Sequence, residues 1–118
     1  MRVGNLSPRR DVTDVRDTVQ AYIAVVERGT AGVVYNVCSG TAPRMQDVLD
    51  GLRRRAAVPV DVEIDPALYR PHDAPVVIGD HQRLTRDTGW HPIIPLERTL
   101  DDLLAFWREA AEQDATAY

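Results

Sequence analysis

A mixed architecture, α/β or α+β, is what this sequence predicts, and three observations carry the prediction. Apolar residues recur with helical period between Asp14 and Arg28. The stretch "PVDVEID" alternates strictly between apolar and acidic side chains, as a strand with one wet face does. Helix-like and strand-like segments also follow one another along the chain instead of segregating into blocks. At 118 residues the chain is one domain by length and is long enough to bury a core.

Taken in order, Val3 to Leu6 reads as a short strand, and "SPRR" after it as a turn carrying two adjacent positive charges. From Asp14 to Arg28, Val15, Val19, Tyr22, Ile23 and Val26 fall on one helical stripe. Asp14 and Asp17 suit the first turn, and Gly29 can close the end. "GVVYNVCSG" reads as a buried strand, Val33 to Val37, running into a tight turn. A second helix is expected from about Pro43 to Ala57, with Met45, Val48, Leu49 and Leu52 inward and Thr41 near its cap. Val60, Val62 and Ile64 form the dry side of the alternating strand.

Pro66, Pro71 and Pro75 then break the chain, which makes residues 66 to 75 a loop. Val76 to Ile78 is a brief strand, and Asp80 can cap a short helix ending near Gly89. The last helix spans roughly Leu96 to Ala111, with Leu96, Leu100, Leu103, Leu104 and Trp107 inward. That gives one domain over residues 1–111 and a frayed tail over 112–118.

Composition excludes several classes of function. The hydrophobic fraction of 44% with 27% charged residues is that of a globular protein. Apolar runs are too short to cross a bilayer and the first residues lack a signal-peptide core, so a cytoplasmic protein without membrane partners is expected. A net charge of −4 gives no general attraction to nucleic acid, so any anion site must be local. Cys38 is the single cysteine, and a buried, inert thiol is the expected reading. All fourteen basic residues are arginine, for which codon usage in a GC-rich genome is the bland cause. Whatever the cause, the chain can offer neither a Schiff-base lysine nor a P-loop lysine.

Most candidate chemistry in the sequence dissolves on inspection. His72–Asp73 and Asp80–His81 are sequence neighbours that tend to point apart, and no metal-ligand spacing accompanies them. His91, between Trp90 and Pro92, reads as part of a structural turn. Ser39 in "CSG" lacks a nucleophile elbow, and "VCSGTAP" has one glycine where a dinucleotide fingerprint needs more. Arg53, Arg54 and Arg55 fan around a helix end and make no single patch. Two arginines in extended contexts are left, Arg10 in "RRDVTD" and Arg70 in "YRPHD". A guanidinium is a planar fork suited to phosphate oxygens, though chemistry alone favours ordinary surface ion pairs, Arg10 with Asp11 or Arg70 with Asp73.

Four motifs, in order and at suitable separations, decide between those readings: G-N-L with R-D, Y-N-V-x-S-G, R-P-x-D with G-D, and G-W-x-P. Over residues 3 to 108 the chain resembles the C-terminal, substrate-binding portion of an extended short-chain dehydrogenase/reductase acting on nucleotide sugars. Within that family the nearest group is the GDP-mannose 4,6-dehydratases and GDP-4-keto-6-deoxymannose reductases. The resemblance implies an α/β fold made of the last Rossmann strand and helix plus a small α/β substrate-binding region. It implies that Asn5, Leu6 and Arg10 line a nucleotide-diphosphate site, that Arg70 reaches the phosphates from the other side, and that Asp73 lies near the nucleoside.

Departures from the family pattern carry their own implications. The glycine-rich NAD(P) loop and the Tyr-x-x-x-Lys pair of the family are missing, and Tyr22, Tyr35, Tyr69 and Tyr118 have no lysine to pair with. The expectation is therefore a chain that binds no cofactor and catalyses nothing alone: a fragment, a truncated gene product or one part of a split enzyme whose full-length relatives use NAD(P). A second expectation follows from the 33–37 strand, which in the family joins the cofactor domain's sheet. Without that sheet its edge and the helix 14–28 need cover, from a second copy in a homodimer or from a partner cofactor domain. The alternative reading is a non-catalytic interaction module that kept this scaffold.

Overall fold

The computed structural model describes residues 1–70 and 72–116; Pro71, expected to stiffen the proline-rich loop, and Tyr118 lie outside the described residues. The chain runs β1 (Arg2–Val3), β2 (Arg9–Arg10), α1 (Val15–Arg28), α2 (Met45–Arg55), β3 (Glu63–Ile64), a one-turn 3-10 helix (Pro66–Leu68), β4 (Val76–Val77), α3 (Gln82–Thr88) and α4 (Leu96–Thr116). Its strands form two small parallel pairs, β1 with β3 and β2 with β4. Each pair joins segments far apart in sequence, so the middle of the chain is folded back across its beginning. No described helix is long and apolar enough to cross a membrane.

α1 begins where expected because Asp14 caps it, its carboxylate accepting from the Arg16 N–H at 2.9 Å. Asp17 does more than answer the helix dipole. It is buried, its carboxylate accepts the backbone N–H groups of Ile93 and Ile94 at 3.1 and 2.9 Å, and its carbonyl accepts from Trp90 Nε1 at 3.0 Å. Ala21, Ala24, Leu84 and Trp90 then close a small core between α1 and α3. Small alanines on α1 let the helices approach closely.

That packing leaves the apolar stripe of α1 uncovered, the condition anticipated for a helix whose covering sheet is absent. The stripe Val15, Val19, Tyr22, Ile23 and Val26 faces solvent, with Val26 88% and Val15 71% exposed. The opposite, alanine-bearing face is the one that is buried.

A correction concerns residues 33–37, expected as a strand, which form none. A strand is defined by its ladder, and among the described residues none offers Val34 to Cys38 a backbone partner. The apolar sequence is there, but the neighbouring edge is not.

Smaller differences have equally local causes. α2 is capped at Arg44, whose N–H donates to the Asp47 carboxylate at 3.3 Å, and not near Thr41. Its predicted inward residues Met45, Val48, Leu49 and Leu52 are half-buried. β3 is short and Ile64 is exposed, because β1 supplies an edge but no covering layer. Arg55 is no bystander at the helix end, since it donates to Asp101 at 2.6 Å and ties α2 to α4. On α4, Leu100 is buried while Leu103 and Trp107, expected inward, are exposed. Glu112–Thr116 continue α4 beyond the expected end at Ala111.

The dimensions agree with an unfinished surface. The radius of gyration is 17.6 Å, where a compact domain of this length has about 13.5 Å. The accessible surface is 8617 Å², about 2,200 Å² more than the roughly 6,400 Å² expected of a folded monomer of this mass.

Candidate functional site

The two strand pairs stand on either side of the segment 4–8, and this segment is pinned over the start of α2. Met45 N–H donates to the Pro8 carbonyl and Gln46 N–H to the Leu6 carbonyl, each at 3.0 Å. A cleft of about 260 Å³ results, lined by Gly4, Asn5, Pro8, Arg10, Met45, Leu68, Arg70 and Asp73. Four of the five residues singled out from sequence, Asn5, Arg10, Arg70 and Asp73, therefore meet in one place. Leu6 does not line the cleft; its carbonyl holds the first turn of α2 instead.

Glycine is required at the rim. A Cβ at Gly4 would come within 2.8 Å of the Leu68 carbonyl oxygen, so only glycine lets the 3-10 turn close against the segment. Asn5 accepts from the Ser7 N–H at 3.0 Å and from Ser7 Oγ at 2.8 Å, which makes the tight turn that carries the chain into β2.

The two arginines are in different states. Arg10 is half-buried, pairs with Asp73, and donates from Nη1 to the carbonyls of Arg9 and Ala74 at 2.8 Å each. Its Nε–H and one Nη2–H have no acceptor among the described residues. Arg70 is exposed and has no hydrogen bond or ion pair among the described residues. The cleft thus holds one neutralised guanidinium and one uncommitted guanidinium, which leaves it locally positive in an acidic protein.

Behind Arg10 lies a residue that sequence reasoning passed over. The Asp11 carboxylate accepts from Ser39 N–H at 2.7 Å, Ser39 Oγ at 2.6 Å, Gly40 N–H at 3.0 Å and Gly79 N–H at 3.1 Å. Partial burial alone would raise its pKa, but the hydrogen bonds from Ser39, Gly79 and Gly40 outweigh burial and hold it below the ordinary aspartate value. Its only sequence signal was adjacency to Arg10 in the R-D motif. Ser39 is consequently a hydrogen-bond donor that helps to hold the Asp11 carboxylate. Burial, together with the Asp11 charge, pushes the Cys38 thiol up, in keeping with an inert cysteine.

Other depressions suit ligands less well. A larger one of about 390 Å³ at the end of α2 sets Arg53 and Arg54 against Asp50 and Asp61, so its charges cancel. A groove of about 380 Å³ is lined by Tyr22, Val25, Val26, Val33, Tyr35 and Val37, and belongs to the exposed apolar face of α1. Among the described residues no group of His, Cys, Asp and Glu could hold a metal ion.

Comparison with known proteins bears directly on the cleft. Residues 1–103 match the model of the family described as GDP-mannose 4,6 dehydratase. GDP-6-deoxy-D-mannose reductase of Pseudomonas aeruginosa is 34% identical over 114 residues, which is 97% of this chain and 38% of the reductase. The structure of RMD from Pseudomonas aeruginosa complexed with NADPH superposes with a TM-score of 0.86 at 34% identity, covering 93% of this chain and 36% of that one. A UDP-glucose-4-epimerase from Stenotrophomonas maltophila, solved with bound NAD and formylated UDP-arabinopyranose, is 18% identical and has a TM-score of 0.83, covering 96% of this chain and 36% of the epimerase. At that identity it speaks for the fold alone. The chain spans little more than a third of the length of these relatives, and the fold is that of their short-chain dehydrogenase/reductase C-terminal part.

Proposed function

The chain belongs to the GDP-mannose 4,6-dehydratase family, and from that premise we propose that it is the nucleotide-sugar-binding portion of an NAD(P)-dependent 4,6-dehydratase or 4-keto-reductase. The observation that carries this is the convergence of Arg10 and Arg70, distant in sequence, on one cleft with Asn5 and Asp73. Arg70 supplies an uncommitted fork and Arg10 its remaining donors to the two phosphates of a nucleoside diphosphate. Asp73, beside them, lies near the nucleoside. The relative's printed name, GDP-6-deoxy-D-mannose reductase, favours guanine as the base.

Binding is the share of the work that these residues can do. The chain contains no glycine-rich dinucleotide loop and no lysine, so its residues do not fit NAD(P), and the hydride chemistry is assigned to a separate cofactor-binding unit. That unit is also the natural cover for the solvent-facing stripe of α1 and the unpaired segment 33–37. Where it is missing, a second copy of the chain takes the same face and forms a homodimer.

Calorimetric titration with GDP, UDP and dTDP tests the reading. Heat is expected with at least one of them, GDP first, and Arg70→Ala should weaken it by about ten- to a hundredfold, the value of one or two charge-assisted hydrogen bonds. Silence with all three nucleotides would overturn it. That result, with self-association intact, would instead favour a non-catalytic interaction module, the reading for which the exposed α1 face is the supporting observation.

A further inference from the structure

We propose that Asp11 is a positioning residue of the diphosphate cleft, fixing the end of β2 so that Arg10 is held ready for the ligand. The inference rests on the cleft being a diphosphate site and extends it to a residue that does not line it.

Alternation along an extended segment places the side chains of Arg10 and Asp11 on opposite sides, and their contacts agree. Arg10 reaches Asp73 and Ala74. Asp11 reaches Ser39, Gly40 and Gly79. β2 itself is two residues long and pairs only with the two residues of β4, apart from an isolated bridge between Arg9 and Arg44. A ladder of that length is marginal by itself. Around it, Arg9 N–H donates to the Pro75 carbonyl, Arg10 N–H to that of Pro43 and the following Asp11 N–H to that of Val77.

What the ladder lacks, the carboxylate provides. Through Gly79 it grips the chain just after β4, and β4 follows directly on the loop that carries Asp73 and Ala74. Through Ser39 and Gly40 it grips the turn behind both strands. One ionised group thereby ties together the segments that bear Arg10 and its partner Asp73, using charge-assisted bonds that are shorter and stronger than neutral ones. Asp11→Asn keeps the size but replaces one acceptor oxygen with an NH2 that faces N–H donors.

Calorimetry with GDP on the wild-type chain, D11N, S39A, R10A, R70A and the double variants D11N/R10A and D11N/R70A separates positioning from mere support. D11N is expected to bind about tenfold more weakly, and S39A, which removes one donor, about threefold. In the R10A background the D11N effect should vanish, because Asp11 acts through Arg10; in the R70A background the two losses should multiply. Folded D11N that binds like wild type, or a D11N loss undiminished in R10A, would overturn the inference alone. No heat from wild type with any nucleoside diphosphate would overturn both this inference and the reading beneath it. If circular dichroism shows that D11N does not fold, S39A decides: a loss that disappears in R10A supports the assignment, and unchanged affinity overturns it.

Discussion

Around the cleft, Arg9, Arg10 and Asp11 donate their backbone N–H groups to Pro75, Pro43 and Val77, and the Asp11 carboxylate gathers three further N–H groups and the Ser39 hydroxyl. Around the outer face of α1, by contrast, Val34 to Cys38 make no backbone ladder among the described residues, and five large side chains of the helix stand in water. Both regions are built from the same short chain and both contain tight turns. The difference is where their partners lie. The cleft closes on segments within this chain, while the outer α1 face finds no cover among the described residues. A polar site can be finished by a handful of local hydrogen bonds, but an apolar layer needs area, and the roughly 2,200 Å² of surplus surface is of the order a stable interface requires.

The largest expected effect is on association. Placing charge on the α1 stripe with Ile23→Asp and Val26→Asp should convert the self-associated chain to monomer, read by light scattering across a concentration series, and should leave GDP affinity within about twofold. A wild-type chain that is already monomeric at high concentration would break the comparison, because the α1 face would then tolerate water.

Next in size is Asp17, which shows that the inner face of α1 is as complete as the cleft. Asp17→Ala leaves the N–H groups of Ile93 and Ile94 without their acceptor and should cost about 3 kcal/mol in urea unfolding. Gly79→Ala should cost somewhat less, about 2 kcal/mol, since the added Cβ would meet Cys38 Sγ at 2.6 Å and Cys38 Cβ at 2.7 Å. If Gly79→Ala proved neutral, the turn behind the cleft would be looser than its contacts imply.

Sequence made visible whatever depends on local chemistry. The start of α1 follows from Asp14, α3 ends at Gly89 as expected, α4 starts at Leu96, and four motif residues from remote segments do meet in one cleft. Periodicity also found the apolar stripe of α1. A stripe says that a face is to be buried, not by what, and the expected cover, a cofactor-domain sheet or a second copy, is not among the described residues. Residues 33–37, read as a strand from the same apolar pattern, have no edge to pair with there. Leu103 and Trp107 on α4 repeat the lesson. Asp11 escaped for the opposite reason: its partners at 39, 40 and 79 are brought to it only by the fold, and a lone aspartate beside an arginine reads as a surface pair.

The smallest effect concerns acid, and it distinguishes carboxylates in the two regions. Asp14, buried at the α1 cap, is held well below the usual carboxylate range by its hydrogen bonds with Arg16, burial opposing them and Thr99 adding to them. Asp11 is lowered too, but against a burial penalty that cancels part of the gain. A carboxylate whose folded pKa lies below its unfolded value of about 3.9 contributes stability that is fully present above that value and is lost as pH falls through the folded one. Wild-type stability should therefore be level from about pH 7 to pH 5 and decline below about pH 4. Asp14→Asn should lower the plateau and flatten that decline, and Asp11→Asn should flatten it less, because its net shift is the smaller. Half-buried Asp87 and Asp102, lowered by hydrogen bonds from Tyr35 and Arg86 and from Arg98 and Arg16, account for the slope that survives in both variants. Urea titrations at half-unit pH intervals would show the order; equal flattening by the two substitutions would mean that the carboxylate behind the cleft is held as firmly as the helix cap, and that burial opposes it less than its surroundings suggest.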